Sequence, residues 1–417
     1  VTGRGSTAFD AMLFDPSRHE ALNAPPWSAQ HAQQAIDWIV RETQAAWSAE
    51  RYWPTHPRDL EPGDDPAAPA TSFYYGAAGV VWALRYLRAV GACGPTLADS
   101  VDMAELRTRN RAWLQQAGLG AAGAYLMGDL PIDMMAWRDE PSAARADALA
   151  ELIASNIDDP ARELMWGAPG SLLAATHLHA ASADARWADL VRRIAAHLRT
   201  QLHWSDGLRC HYWQQDLYGR RFTFIDAVHG FVATAQGLIR ARHLLEPGEW
   251  AFWQRCVTDT VVRSATREGG HVNWRPELIE TVLRPTKWMM QYCHGAPGFV
   301  ICLAQWPTAE LDDLLLGAGE AIWAAGPLNK GANLCHGTAG NGYAFLVLYQ
   351  RTGNPLWLER ARAFAMHAIA QAEAEAADVG RLRHSLWTGD QGLAIYLWDC
   401  LRAEAAFPSL DVFFAPR

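Results

Sequence analysis

QYCHGAPGF at Gln291–Phe299 and NLCHGTAGNGY at Asn333–Tyr343 are two versions of one phrase, Cys-His-Gly-x-x-Gly, with their cysteines 42 residues apart. Two cysteines and at least one histidine on short, repeated turns are what a zinc site with an open position requires. Zn2+ accepts thiolate and imidazole tetrahedrally, and three protein ligands leave a fourth place for water or substrate. A lone cysteine is more often a small buried hydrophobe, but two Cys-His pairs in one register argue against that reading. On spacing alone the ligands come from Cys293, His294, Cys335 and His336, and either histidine can be the one that points inward.

The Gly-x-x-Gly frame recurs on both sides of this stretch. It appears as YYGAAGVVWAL (Gly76, Gly79), MWGAPGSLLAA (Gly167, Gly170) and WTGDQGLAIYL (Gly389, Gly392), while VHGFVATAQGLI keeps Gly230 but has Ala233 in the second place. An apolar helical run follows each phrase. Before or between the phrases lie amphipathic segments at 28–47, 142–156, 184–202, 250–265 and 356–374, with Arg or Glu at helical spacing. Strand signals are nearly absent. A repeat of charged helix, Gly-rich turn and apolar helix predicts an all-α fold, an α/α toroid: a double-layered helical barrel of six or seven hairpins, with seven favoured. Glycine suits turns that crowd together at one end of such a barrel. The chain is expected to be one toroid domain over 1–417, with irregular inserts near 53–70 and 120–141.

Half of the 417 residues are hydrophobic and 19% are charged, which allows a large core and argues against disorder. The formal net charge is −9 with no basic run, so nucleic acid is not an expected partner. The uncharged run 288–309 is long enough to span a bilayer, but it contains Gln291, His294, two prolines and two glycines, so no transmembrane segment is expected. Residues 1–15 lack the apolar core of a secretory signal. Seven scattered cysteines, an odd number, are not a disulfide framework and suit a reducing cytoplasmic compartment.

A thiolate-rich zinc is a weak activator of water but readily holds a substrate thiol in its deprotonated form. The nucleophile is then sulfur, and an acid must protonate the carbanion left on the acceptor. His229 in DAVHG and Glu163 in RELMWG are the candidate acids, each shortly before the first glycine of its phrase. Asp226, three residues before His229, is not assigned to it. Of 36 basic residues, 34 are Arg; Lys287 and Lys330 stand six and five residues before the two cysteines. An ammonium at either place suits a substrate carboxylate or phosphate. Arg381 and Arg383, just before SLWTG, offer a second anionic contact.

From SFYYGAAG to SLWTGDQG the chain resembles the lanthionine synthetase C-like (LanC-like) family, and the doubled CHG is the specific element. The resemblance implies an α/α toroid with seven helices in each layer and a zinc held by Cys293, Cys335 and His336. It leaves His294 either behind the ligands or facing substrate, and gives His229 the place of the family's active-site histidine. Glu163 falls where the eukaryotic-like branch has glutamate. CHG in place of Cys-Tyr-Gly and the position of Lys330 also resemble that branch, whose members bind glutathione. The implied activity is addition of a thiol, glutathione or a peptide cysteine, to dehydroalanine or dehydrobutyrine. The substrate is a dehydrated or phosphorylated peptide or protein, with Lys330, Arg381 and Arg383 as substrate contacts. Two alternatives remain open at this point: a lanthipeptide cyclase acting on a dehydrated precursor, and a zinc- and glutathione-binding scaffold without turnover.

Overall fold

Every glycine phrase runs directly into a helix N-terminus, and this fixes the layering. The computed structural model describes residues 12–60, 65–66, 68–120, 122–278 and 287–415. Its helices fall into successive outer–inner pairs: α1 (Ala29–Ala45) with α2 (Ala77–Ala89), α3 (Met103–Gln116) with α4 (Leu130–Asp139), and α5 (Ala143–Ser155) with α6 (Ala168–Ser182). They continue as α7 (Ala185–Thr200) with α8 (Phe231–Ala241), α9 (Pro247–Ser264) with α10 (Ala296–Leu303), α11 (Asp312–Ala325) with α12 (Thr338–Thr352), and α13 (Pro355–Val379) with α14 (Asp390–Arg402). Each even-numbered helix touches the next even-numbered one, and α14 touches α2, so the inner layer closes as a seven-helix ring.

The two layers start differently. Five of the seven outer helices carry side-chain caps: Ser28, Asp102, Ser142, Asp184 and Asn354 each accept a backbone N–H of the first turn, while α9 and α11 have none. Inner helices have no side-chain cap, and all but α4, which follows Asp129, start at a glycine. Their first N–H groups donate instead to the incoming loop, as in Ala77 to Ala70 (3.0 Å), Phe231 to Phe224 (3.2 Å) and Thr338 to Gly331 (2.9 Å). The outer helix α7 buries Trp187, Val191, Ile194 and Leu198 on one stripe, whereas α6 is buried on every side through His177 and Leu178.

The residue two places before each first glycine joins a collar around the barrel. Backbone N–H groups donate from Tyr74 to Leu126 (2.9 Å), Leu126 to Met165 (3.2 Å) and Leu164 to Val228 (3.1 Å). The chain of bonds resumes from Cys293 to Cys335 (3.1 Å), Cys335 to Trp387 (3.0 Å) and Trp387 back to Tyr74 (3.1 Å). At the remaining joint, a Cβ on Gly298 would stand 2.6 Å from that of Ala227. The second glycines are therefore spacing elements: a Cβ at Gly340 would lie 1.9 Å from the Leu334 carbonyl oxygen.

One expectation changes. The stretch 120–141, expected to be an irregular insert, contains the inner helix α4. Its phrase is degenerate, with Gly128 retained and Pro131 where a second glycine would stand, and proline is tolerated in a first helical turn. The apolar run 288–309 does not form one helix. It makes the short hairpin β7 (Met290–Gln291) with β8 (His294–Gly295), then the eight-residue α10. Gly295 turns that corner at φ +101°, a conformation that side chains disfavour. Of the insert expected at 53–70, residues 61–64 and 67 lie outside the described residues, and 53–60 is irregular apart from a single turn at Pro57–Asp59. No helix among the described residues is long and apolar enough to cross a membrane.

Three further hairpins decorate the ring: β1 (His203–Ser205) with β2 (Cys210–Tyr212), β3 (Gln215–Leu217) with β4 (Arg220–Phe222), and β5 (Thr266–Glu268) with β6 (His271–Asn273), all antiparallel. The C-terminal segment packs into the ring. Phe407 is fully buried and stacks on Tyr292 at 4.7 Å, and Trp82 donates to the Phe413 carbonyl at 2.7 Å.

Candidate active site

The last two residues before the first glycine of three successive inner phrases are Val228-His229, Cys293-His294 and Cys335-His336. The first of each pair is bound into the collar, so the cysteines are buried while the three histidines remain partly exposed. Successive phrases thus bring both thiols and all three imidazoles to one mouth. Seven helix N-termini converge there, and their aligned peptide dipoles favour negative charge.

Cys293 and Cys335 lie within hydrogen-bonding reach of each other, and that contact divides their titration. It pushes Cys293 up, reinforced by burial, and pulls Cys335 down, helped by the Tyr74 hydroxyl and by the charges of Lys330 and Arg383. Tyr74 donates to the Cys335 sulfur at 2.9 Å, and the Gln291 amide donates to the Cys293 sulfur at 2.9 Å. Burial, with Arg383 and Lys330, lowers the His336 pKa despite the nearby Cys293, which favours the neutral ring a metal requires. Two soft thiolates and a neutral imidazole are the donor chemistry Zn2+ prefers. The set is not drawn together as a finished cage. Among the described residues no three His, Cys, Asp or Glu side chains converge as a metal-binding group. Both thiols are free and in hydrogen-bonding reach of each other, and His336 has only an electrostatic influence on Cys293.

Two carboxylate–imidazole pairs flank the sulfurs. Glu163, fully buried, meets His229 Nδ1 at 2.8 Å. Its oxygens also accept the backbone N–H groups of Met165 (2.9 Å) and Trp166 (2.7 Å). Burial pulls the His229 pKa down, but the Glu163 charge and hydrogen bond, aided by Asp226 and Cys293, outweigh it and leave the ring raised. With Nδ1 engaged, Nε2 is the nitrogen free to exchange a proton. Glu163 therefore orients the imidazole, and its two oxygens are taken up by that ring and by the two backbone N–H groups. Asp226 pairs with His294, its carboxylate 2.5 Å from Nδ1, and not with its near neighbour His229. Burial opposes charge on His294, yet Asp226 and Cys293 raise its pKa to about 9.

The cation candidates separate. Lys330 is exposed, and its charge acts on both Cys335 and His336. Arg383 is buried, acts on the same two groups, and grips Asp59 through Nε (2.8 Å) and Nη2. Arg381 is exposed and donates to the Thr55 carbonyl at 3.1 Å, while Lys287 is exposed and its charge reaches Asp15.

Four participants were not picked out from the sequence. Tyr74 occupies in YYGAAG the place that Cys335 holds in CHGTAG, so register would have found it. Gln291 opens the QYCHG phrase, and Arg18 donates to its Oε1 at 2.9 Å. Asp59 approaches from an irregular segment with no pattern of its own.

The family model for lanthionine synthetase C-like proteins matches residues 146–412. A Danio rerio protein named glutathione S-transferase LANCL1 is 36% identical over 129 residues, covering 30% of this chain and 32% of its own length. The Arabidopsis thaliana LanC-like protein GCL1 is 40% identical over 93 residues, covering 21% of each chain. The matched stretches thus span a third or less of these relatives. In three dimensions nisin cyclase aligns over 89% of this chain and 93% of its own with a TM-score of 0.57 at 14% identity, a likeness of fold. The matching model covers well over half of the chain and includes all three Cys-His and Val-His phrases, so the chain belongs to the lanthionine synthetase C-like family.

Proposed function

We propose that this chain is a zinc-dependent enzyme that adds the thiol of glutathione to dehydroalanine or dehydrobutyrine residues of peptides or proteins. The carrying observation is that Cys293, Cys335 and His336 share a mouth with the His229–Glu163 pair and with the charges of Lys330 and Arg383. Cys293, Cys335 and His336 would hold Zn2+, which when bound keeps a substrate thiol in its anionic form.

The residues of the chain then supply the rest. Tyr74 and Gln291 donate hydrogen bonds to the ligand sulfurs and hold them in place. Lys330 and Arg383 attract a glutathione carboxylate, or a phosphate on a phosphorylated acceptor. The sulfur forms a bond to the β-carbon of the acceptor, and the π-electron pair of the double bond moves to the α-carbon. That carbon takes a proton from His229 Nε2, and the proton released by the thiol restores the imidazole through solvent. His294, held by Asp226, presents its free nitrogen to the acceptor from the neighbouring phrase. A cytoplasmic location belongs to the same reading, because a reducing compartment would keep the free cysteines as thiols.

The relative named glutathione S-transferase favours glutathione over a peptide cysteine, the donor a lanthipeptide cyclase would use. Mass spectrometry after incubation with glutathione and a dehydroalanine peptide tests the reading. The peptide should gain one glutathione, and Cys335→Ala should lose both bound zinc and product. Unaltered zinc content and turnover in that variant would refute it.

A further inference from the structure

Between α7 and α8 the hairpin β3–β4 leans towards the mouth. Its register pairs Gln215 with Phe222 and Leu217 with Arg220, so these four side chains share one face, while Asp216 and Arg221 pair on the other. On the first face the Arg220 guanidinium lies 5.6 Å from the Phe222 ring centre, and Phe222 stacks on Phe224 at 4.7 Å, 14° from parallel. The Phe224 centre is 6.1 Å from that of His229 and 5.9 Å from that of His294. At the hairpin tip Tyr218 is 69% exposed at φ 54°, a strained backbone for a bulky residue. Its hydroxyl accepts from Trp166 Nε1 at 3.1 Å, and Trp166 is the residue whose backbone Glu163 holds. An aromatic track therefore runs from solvent to both imidazoles and ends outside in a cation. Arg221 has Asp216 opposite it, but Arg220 faces the buried Leu217 and so has no opposing charge across the strands.

We propose that this track docks the acceptor peptide and selects for an apolar or aromatic residue beside the dehydroamino acid and an acidic side chain further along. Ring faces accept apolar side chains and peptide planes, and the exposed guanidinium at the outer end complements a carboxylate. An extended peptide rises roughly 3.3 Å per residue, so the track places the acidic group about five residues from the acceptor. The proposal rests on the thiol-addition reading, since it assigns the second substrate of that site.

Its test reads binding, so that it does not depend on turnover. Fluorescein-labelled peptides carry Ser at the acceptor position, Phe beside it, and Glu or Lys five residues away on either side, and their anisotropy is measured with the full chain. One Glu peptide should bind about threefold tighter than its Lys counterpart, with a gap that shrinks in salt. Arg220→Glu should reverse that order, Tyr218→Ser should weaken both peptides, and Arg193→Glu on α7 should leave the preference intact. Equal binding of Glu and Lys peptides, a preference that survives Arg220→Glu, or a reversal by Arg193→Glu would each overturn the proposal. Turnover of N-acetyl-dehydroalanine methyl amide with glutathione, an acceptor without flanks, reports the reaction separately. If that turnover fails while the peptide preference holds, the fault lies in the assigned chemistry and not in the docking surface.

Discussion

Glu163 Oε2 stands 2.8 Å from His229 Nδ1, and the same carboxylate also accepts the backbone N–H groups of Met165 and Trp166. One buried side chain thus builds the turn of its own phrase and orients the imidazole of the next. The His229 imidazole and the collar are coupled through it.

Glu163→Gln removes the charge that helps raise the His229 pKa. The expected result is a fall in kcat/KM on the order of 10²-fold, with the high-pH limb moving to lower pH. The sign for stability follows from the same shift. A histidine raised in the folded state stabilises below its unfolded pKa, and that contribution is lost as pH rises through the folded one. The variant's deficit in stability should therefore shrink in alkaline buffer. A pH profile whose basic limb stays in place would remove His229 from the role of acid.

The Arg383–Asp59 pair should matter for stability as well as for binding. Asp59→Ala leaves a buried guanidinium without its partner, which costs about 3 kcal/mol in denaturant unfolding. Arg383→Lys keeps the charge but loses the two-pronged grip, and glutathione affinity measured by calorimetry should drop. Arg381→Ala, at an exposed residue bonded to one carbonyl, should change stability by under about 0.5 kcal/mol and leave glutathione affinity unchanged. Equal effects at the two arginines would contradict the separation between them.

Glycine substitution tests the collar. In Gly340→Ala the new carbon would meet the Leu334 carbonyl oxygen at 1.9 Å, and backbone cannot yield as a flexible side chain does. A loss of about 3 kcal/mol or more is expected, together with reduced zinc retention. Gly94→Ala, with no atom within 4 Å and an ordinary backbone, should change stability by less than about 0.5 kcal/mol. Comparable melting of the two variants would mean that the ring does not depend on close approach.

Much of this architecture was legible because it is repetitive. The five amphipathic segments at 28–47, 142–156, 184–202, 250–265 and 356–374 correspond to α1, α5, α7, α9 and α13, and the glycine phrases locate six inner helices. The seventh, α4, was hidden because Pro131 replaces the glycine that defines the phrase and only Gly128 remains. Within the site, register alone gathers His229, Cys293, His294, Cys335 and His336. What register does not reveal is pairing across the ring. Asp226 is three residues from His229 yet bonds His294, 68 residues away, because neighbouring phrases face each other. Asp59 and Arg18 arrive on irregular segments, where no periodicity marks which side chain turns inward.

The account turns on two sulfurs and one imidazole gripping zinc and leaving a place for a thiol, and zinc K-edge X-ray absorption of the purified protein addresses that most directly. It predicts one equivalent of zinc with two sulfur neighbours at about 2.3 Å and nitrogen or oxygen neighbours at about 2.0 Å. Added glutathione should raise the count to three sulfurs. Protein without stoichiometric zinc, a first shell lacking sulfur, or a spectrum unmoved by saturating glutathione would contradict it.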